Sequence, residues 1–517
     1  MNYFHGRPLK VRRFGPAYAA IANLPIADAA YYCWSVDVLP DYVLLEIFDF
    51  HRFFNARLRW EHSWKWHRLA HVCQRWRRVV LSSPRRLNLR LFCSRGTPVK
   101  ETLRFQPDLP ISIHYGGFPC STPTSKDEES LVTALRHPDR ICEIYLQIMG
   151  SLCNRLVAEM QTTMPSLETL HLDVNGKVEI LFPDEFLGGS APLLTVIDLD
   201  AVSFPALPKL LLSTSNLVSL ELRNILRSGY FSPEALVLGL SVTKQLKTFL
   251  IHFARSHFRK NHRCTPPLGR TVLPALTDLS FYGVNGYLED IVARIDTPVL
   301  QTILLKFFNR PPFEIAHLSH FVRRTSQLGS PTHAYIRSYE SDFWLQLTYQ
   351  PLAGTPRTSP RHLRFEITCS MYNRRLSSLS QIFSQLPPIL SGVGQLRIVG
   401  DSSAPSRRDD LDSARWLELL RLFGGVERLH VHDNHVLDIA RTLQWVTSQA
   451  EPELFPSLRE LFLPKDSQEF TAALEAISPF IGVRQLSGYP IAVYSSDART
   501  ATNRLMEIGE DGVFITA

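Results

Sequence analysis

The chain lacks the short signatures that mark most catalytic centres. It contains no phosphate-cradling G-x-x-x-x-G-K-[ST], no dinucleotide-binding G-x-G-x-x-G after a strand, no G-x-S-x-G elbow and no H-E-x-x-H helix. Cysteine is scarce, with 8 in 517 residues at 33, 73, 93, 120, 142, 153, 264 and 369, and no pair has C-x-x-C spacing. That density excludes a disulfide framework and reads as buried free thiols in a reducing compartment. Long apolar runs are missing too. The stretch Phe14 to Trp34 follows a basic run, but Pro16, Asn23, Pro25 and Asp28 interrupt it. A secretory signal needs roughly 7 to 15 unbroken apolar residues and a spanning helix about 20. The charge balance, +7 with 56 Lys and Arg, is mild for this length and indicates neither a nucleic-acid nor a membrane partner. A cytoplasmic or nuclear protein without cofactor or metal is the expectation.

What is present is an ordinary globular composition, 45% hydrophobic and 20% charged. The length exceeds what one hydrophobic core serves, so several domains or a repeat array are expected. Residues 1–35 read as a loosely ordered leader. In residues 36–84 the pattern predicts a helix opened by Leu39-Pro40 and running to Phe48, with Val43, Leu44, Ile47 and Phe48 at helical spacing. A second helix is predicted from Leu69 to Val80, its apolar stripe formed by Leu69, Val72, Cys73, Trp76, Val79 and Val80, ended by Pro84. Between them runs a longer connection, His51 to Trp64. So small a helical module keeps much of its surface exposed, and some of that apolar surface suits a partner.

Three anchors here, Leu39-Pro40, Ile47-Phe48 and Val72-Cys73-Gln74-Arg75-Trp76-Arg77, resemble the F-box motif in order and spacing. The chain is similar in particular to the F-box proteins abundant in mushroom-forming fungi, where a segment like Ser83 to Leu87 leads into repeats. Asp49 to Lys65 departs from the family pattern. The resemblance implies that Leu39, Pro40, Val43, Ile47, Phe48, Val72, Cys73 and Trp76 meet a Skp adaptor and, through it, a cullin, with catalysis on other subunits.

The remainder, 85–490, carries one recurring pattern: apolar, two others, apolar, one other, apolar. It occurs at Leu167-Leu170-Leu172, Leu194-Ile197-Leu199, Leu217-Leu220-Leu222, Leu246-Phe249-Ile251, Leu276-Leu279-Phe281 and Leu300-Ile303-Leu305. It returns at Val393-Leu396-Ile398, Val426-Leu429-Val431 and Leu458-Leu461-Leu463, with weaker copies at Ile141-Ile144-Leu146 and Leu363-Phe365-Ile367. The middle residues follow one another at 23 to 33 positions, except from 303 to 365. This is the L-x-x-L-x-L core of leucine-rich repeats, in degenerate form; the Asn position survives only at Asn175 and Asn434, with Asp401 and Asp466 in the same place elsewhere. Amphipathic segments, Phe231 to Leu240, Tyr287 to Ile295, Arg408 to Phe423, Val436 to Thr447 and Ser467 to Ile477, fill the return paths. The fold class predicted is α/β: a small all-α F-box-like module, then a solenoid of parallel strands with outer helices, and a C-terminal tail at 491–517. Pro119 to Ser130, Arg255 to Pro267, Gln350 to Pro360 and Gly400 to Asp410 read as loops. Ala334 to Tyr339 and Phe343 to Tyr349 read as strands that fit the repeat poorly.

Alternation sends the residues between the apolar positions to the opposite, open side of the sheet. His171, Asp173, Asp198, Asp200, Glu221, Arg223, Tyr282, Lys306, Arg397, His430 and His432 are therefore the candidate target-binding residues, with acid in the early repeats and base in the later ones. Ser280 and Leu304 share that side. His67 and His71 have zinc-compatible spacing on a helix but no evident third ligand. The leading expectation is a substrate-recognition subunit of a Skp-cullin-F-box ubiquitin ligase; the alternative is a non-catalytic repeat scaffold without a ligase role.

Overall fold

The computed structural model describes residues 39–56, 66–83, 87, 89–94, 99–105, 109–116, 124–176, 179–254, 269–308, 313–325, 328, 330–338, 342–349, 361–368, 372–386, 389–400, 410–432, 435–448, 454–464, 470–496, 503–508 and 514–516. Residues 1–90 and 91–517 form two compact units.

In the first unit, helix α1 spans Asp41–Ala56, α2 Trp66–Ala70 and α3 Gln74–Ser82. The carbonyl of Pro40 accepts from the amides of Val43 and Leu44 at 3.0 and 3.2 Å, so Leu39-Pro40 does open α1. The helix then continues eight residues past Phe48, because DFHRFFNA contains no proline or glycine to stop it. The connection expected from His51 therefore begins as helix; residues 57–65 lie outside the described residues. The second predicted helix is two. Cys73 sits between them with extended backbone, φ −156° and ψ 171°, and its sulfur accepts the Trp76 amide at 3.4 Å as the N-cap of α3. Arg77 Nε ties the pieces together by donating to the Ala70 carbonyl at 2.9 Å. Val72 leaves the apolar stripe as a result and is 60% exposed. His67 and His71 no longer share a helix, since α2 stops at Ala70.

The second unit is mixed α/β. Its 18-stranded sheet is mostly parallel. The strands are β1 Leu91–Cys93, β2 Ile111–Tyr115, β3 Ile141–Met149, β4 Thr169–Asn175, β5 Val196–Asp200 and β6 Ser219–Ile225. Next come β7 Thr248–Phe253, β8 Asp278–Gly283, β9 Thr302–Phe307, β10 His333–Ser338, β11 Asp342–Tyr349 and β12 Arg361–Thr368. The last are β13 Gln395–Gly400, β14 Arg428–His432, β15 Glu460–Pro464, β16 Ala492–Ser496, β17 Asn503–Ile508 and β18 Phe514–Thr516. Between them run α4 Val99–Phe105, α5 Ser125–Leu135, α6 Gly150–Glu159, α7 Leu207–Leu211, α8 Pro233–Leu240, α9 Asn285–Arg294, α10 Ala316–Arg324, α11 Tyr372–Gln385, α12 Asp410–Leu420, α13 Val436–Ser448 and α14 Phe470–Leu486.

Every L-x-x-L-x-L copy lands on a strand, and β1 to β9 pair in chain order, parallel throughout. The long step from 303 to 365 has a topological cause. After β9 the next neighbour is β12, which pairs parallel with β9 and antiparallel with β11; β11 pairs antiparallel with β10, and β10 runs parallel to β13. The chain thus lays down a reversed triplet, 12-11-10, inside an otherwise sequential sheet. AYIRSY and FWLQLTY are its two extra strands. From β13 to β16 order and parallel direction resume, and β17 and β18 add antiparallel at the end, where the sequence reading places only a tail.

Along each strand the repeat's apolar residues are buried: Leu170, Leu172, Ile197, Leu199, Leu220, Leu222, Phe249, Ile251, Leu396, Ile398, Leu429 and Val431 are at most 3% exposed. Helices cover that side. Tyr287 of α9 packs on Phe253 at 4.8 Å, Phe383 of α11 on Phe365 at 4.9 Å, and Trp416 of α12 on Phe343 at 6.1 Å between ring centroids. One expected loop is partly helix: Thr124 and Asp127 form a reciprocal capping box that starts α5 inside the segment 119–130. The expected loops 255–267 and 350–360, and nearly all of 400–410, lie outside the described residues, as do Asn434, Asp401 and Asp466. Among the described residues no helix is long and apolar enough to cross a membrane.

Candidate functional site

The unit at 1–90 exposes several apolar side chains. Leu44, Leu45 and Phe48 are buried, and Phe48 packs its ring on Trp76 at 4.7 Å. Arg75 fastens α3 to the start of α1: its guanidinium bonds Asp41 Oδ1 at 2.7 and 3.0 Å and also donates to the Leu39 carbonyl. With that inner stripe spent, a second one remains outside. Val43, Ile47 and Phe50, at i, i+4 and i+7, share one helix face, with Ile47 45% and Phe50 68% exposed. Of the residues expected to meet a partner, Pro40, Ile47 and Val72 are exposed and Leu39 and Val43 half-buried. Phe48 is buried against the ring of Trp76, which like Cys73, the cap of α3, is half-buried. Phe50, and Tyr42 on another side of α1, are exposed residues that sequence reasoning missed; the signal for Phe50 was the i+7 spacing from Val43.

The unit at 91–517 offers the face of the sheet opposite its helices. Cross-strand register arranges its side chains in rows. The central row reads His114, Tyr145, His171, Asp198, Glu221, Leu250, Ser280, Leu304, Arg364, Gln346, Tyr335, Arg397, His430, Phe462 and Tyr494 from β2 to β16. Beside it run Asp173, Asp200 and Arg223, and, past a register shift between β6 and β7, His252, Tyr282, Lys306, Glu366, Trp344 and Arg337. All eleven candidate target-binding residues lie on this face.

They divide into separate clusters. In the early strands His171 Nδ1 is 2.7 Å from Asp198 Oδ2, and Arg223 pairs with both Asp198 and Glu221. Burial pushes the Asp198 carboxyl up, but the hydrogen bonds from His171 and Arg223 outweigh it and hold it below its ordinary value. Asp173 accepts from Gln147 at 2.8 Å and Asp200 from Asn224 at 2.6 Å. The rings of Tyr145 and His171 stack at 4.1 Å, and burial together with Asp173 and Asp198 raises the Tyr145 hydroxyl. Every acid here is hydrogen-bonded, and the cluster is negative overall.

No family model and no curated protein matches this chain.

Further along, Tyr282 meets His252 at 5.0 Å, and Lys306 pairs with Glu366, which also takes Arg364 at 3.2 Å. Arg364 lies over the Trp344 ring at 4.2 Å. On β10, β13 and β14 the character reverses: Arg397, Arg337 and Arg428 stand with His333, His430 and His432. His430 stacks on Phe462 at 4.1 Å, and Phe462 on Tyr494 at 4.8 Å. Burial, then the charges of His432, Arg397 and Arg428, lower the His430 imidazole to about 4. Tyr145, Glu366, Arg364, Trp344, Tyr335 and Phe462 were not anticipated. Tyr145 was readable from the weak copy at 141–146; Phe462 was masked because it lies between two leucines and reads as core. Among the described residues no group of three or more His, Cys, Asp or Glu is placed to hold a metal.

Proposed function

We propose that this chain is a substrate-recognition subunit of a Skp-cullin-F-box type ubiquitin ligase, acting by proximity and not by chemistry of its own. The observation that carries the reading is the second apolar stripe of α1. A module with the Leu-Pro, Ile-Phe and Val-Cys-x-x-Trp-Arg anchors leaves Val43, Ile47 and Phe50 outward, joined by an exposed Val72, after its own core is complete. Exposed apolar patches on a small module mark where a partner docks. The long open face of the sheet supports a target-holding role: it is polar, aromatic and broad, and its His171–Asp198 pair is engaged by Arg223. Holding a target near a charged conjugating enzyme raises effective concentration, for which fixed spacing matters more than reactive groups.

The test is affinity capture of the full chain co-expressed with a Skp-type adaptor. Ile47→Asp with Val72→Asp is expected to weaken capture at least roughly 30-fold, about 2 kcal/mol. Both side chains are exposed, so the module's core is untouched. Capture unchanged by the pair, or no adaptor bound by the unaltered chain, sinks the ligase reading and leaves a protein-binding scaffold.

A further inference from the structure

The open face follows a local rule: a cation on one strand finds a carboxylate on the same or the next strand. Arg223 has Asp198 and Glu221, Lys306 and Arg364 have Glu366, and Arg428 has Glu460 at 2.9 Å. Arg397 breaks the rule. It is exposed, its guanidinium lies 6.0 Å from the Tyr335 ring centroid, and it has no carboxylate partner among the described residues. In register it faces Tyr335 on β10 and His430 on β14, with His333, Arg337, Arg428 and His432 on the diagonals. Neighbouring strands lie about 4.8 Å apart, so Tyr335 and His430 are its direct neighbours. The open-face positions of β10, β13 and β14 hold no Asp or Glu among the described residues.

We propose that Arg397, with Tyr335 and His430 beside it in register, forms a docking site for a carboxylate-rich segment of the target protein, an unmodified run of Asp and Glu. This rests on the reading of the sheet face as the target-holding surface and names the class of target it accepts. Arginine forks bind carboxylates in the same way that the face's other cations already do, so the partner supplies the anion that the described open-face positions of β10, β13 and β14 do not. An exposed guanidinium over a tyrosine ring is oriented in advance, which lowers the cost of ordering it on binding. The acidic strands β3 to β6 lie on the same face, so a long polyanion such as RNA meets repulsion along the sheet, whereas a short acidic segment does not.

The test uses the full chain and fluorescent peptides of about fifteen residues: a Glu/Asp-rich peptide, its Gln/Asn counterpart, and that counterpart carrying a single phosphoserine, together with a uridine homopolymer. The acidic peptide is expected to bind at least 10-fold more tightly than the amide peptide. Arg397→Glu should remove that advantage, while Lys209→Glu, the same charge change on the helix-covered side, should leave it. Adaptor capture stays unchanged in Arg397→Glu, and the acidic peptide still binds Ile47→Asp/Val72→Asp, so failure of the docking reading and failure of this one are separable. Equal binding of acidic and amide peptides, equal loss in both charge variants, or preference for the phosphoserine peptide or the RNA would each overturn the proposal.

Discussion

Arg294→Met is expected to destabilise the sheet unit by about 3–5 kcal/mol, the cost of leaving a buried charge without its partner. Helix α9 is buried continuously from Tyr287 to Arg294, and it carries three charged residues there. Arg294 donates to the Asp290 carbonyl at 2.8 Å, pairs with Asp290 Oδ1 at 3.3 Å, and reaches Glu234 on α8 at 2.8 Å. Asp290 is only 2% exposed, whereas Glu234 is half in solvent and loses little when its partner goes. Methionine fills the space without the charge. Replacing both residues, Asp290→Leu with Arg294→Met, should recover most of the loss, because an apolar pair of similar volume avoids the desolvation that the ionic pair must overcome. Denaturant titration of the two single variants and the double variant reads this out. A loss below about 1 kcal/mol in Arg294→Met would mean that Asp290 is satisfied by other groups.

One turn earlier on the same helix, Glu289 should impose a pH dependence of the opposite sense to an ordinary surface carboxylate. Its two oxygens accept the amides of His317 and Leu318 at 2.8 Å each, closing the N-terminus of α10. Burial outweighs those donors and the carboxyl is pushed from 4.5 to about 7. Between those values the folded chain holds a proton that the unfolded chain has released. Stability therefore falls as pH rises from 4.5 to about 7 and is level above it, by an amount on the order of 3 kcal/mol. Glu289→Gln cannot ionise. The stability of the native chain relative to that variant should thus drop between pH 5 and pH 8, measured as paired denaturation midpoints. A difference that does not change with pH, or that grows, would show the two amide donors and the helix terminus holding the carboxylate ionised.

How much of this was legible depended on whether neighbours mattered. Strand positions and their faces were readable because alternation is a local property: Leu170 and Leu172 point one way and His171 the other whatever lies beside them. The order of strands was not, since nothing in AYIRSY or FWLQLTY states which partner each pairs with. Helix α1 ran past Phe48 because the following residues carry no break. The split at Cys73 was hidden, because a helical stripe written through Val72, Cys73 and Trp76 looks the same whether the turn is continuous or capped by a thiol. The candidate surface residues were found as a set. Which of them stay unneutralised was not: Arg223, Lys306 and Arg397 are equivalent by alternation, and only the cross-strand acids Asp198 and Glu366 separate the first two from the third.

The reversed triplet β12-β11-β10 constrains how the chain is assembled on the ribosome. Strands β1 to β9 can each dock on a neighbour already made, in the order they emerge. Strand β10 cannot, because the edge of β9 is reserved for β12, which is synthesised later, and β10 reaches the sheet only through β11. Strands β10, β11 and β12 are therefore expected to seat together before β13 has an edge to join. Vectorial growth is then expected to slow at this triplet, which is the segment that joins the two sequentially paired stretches of the sheet.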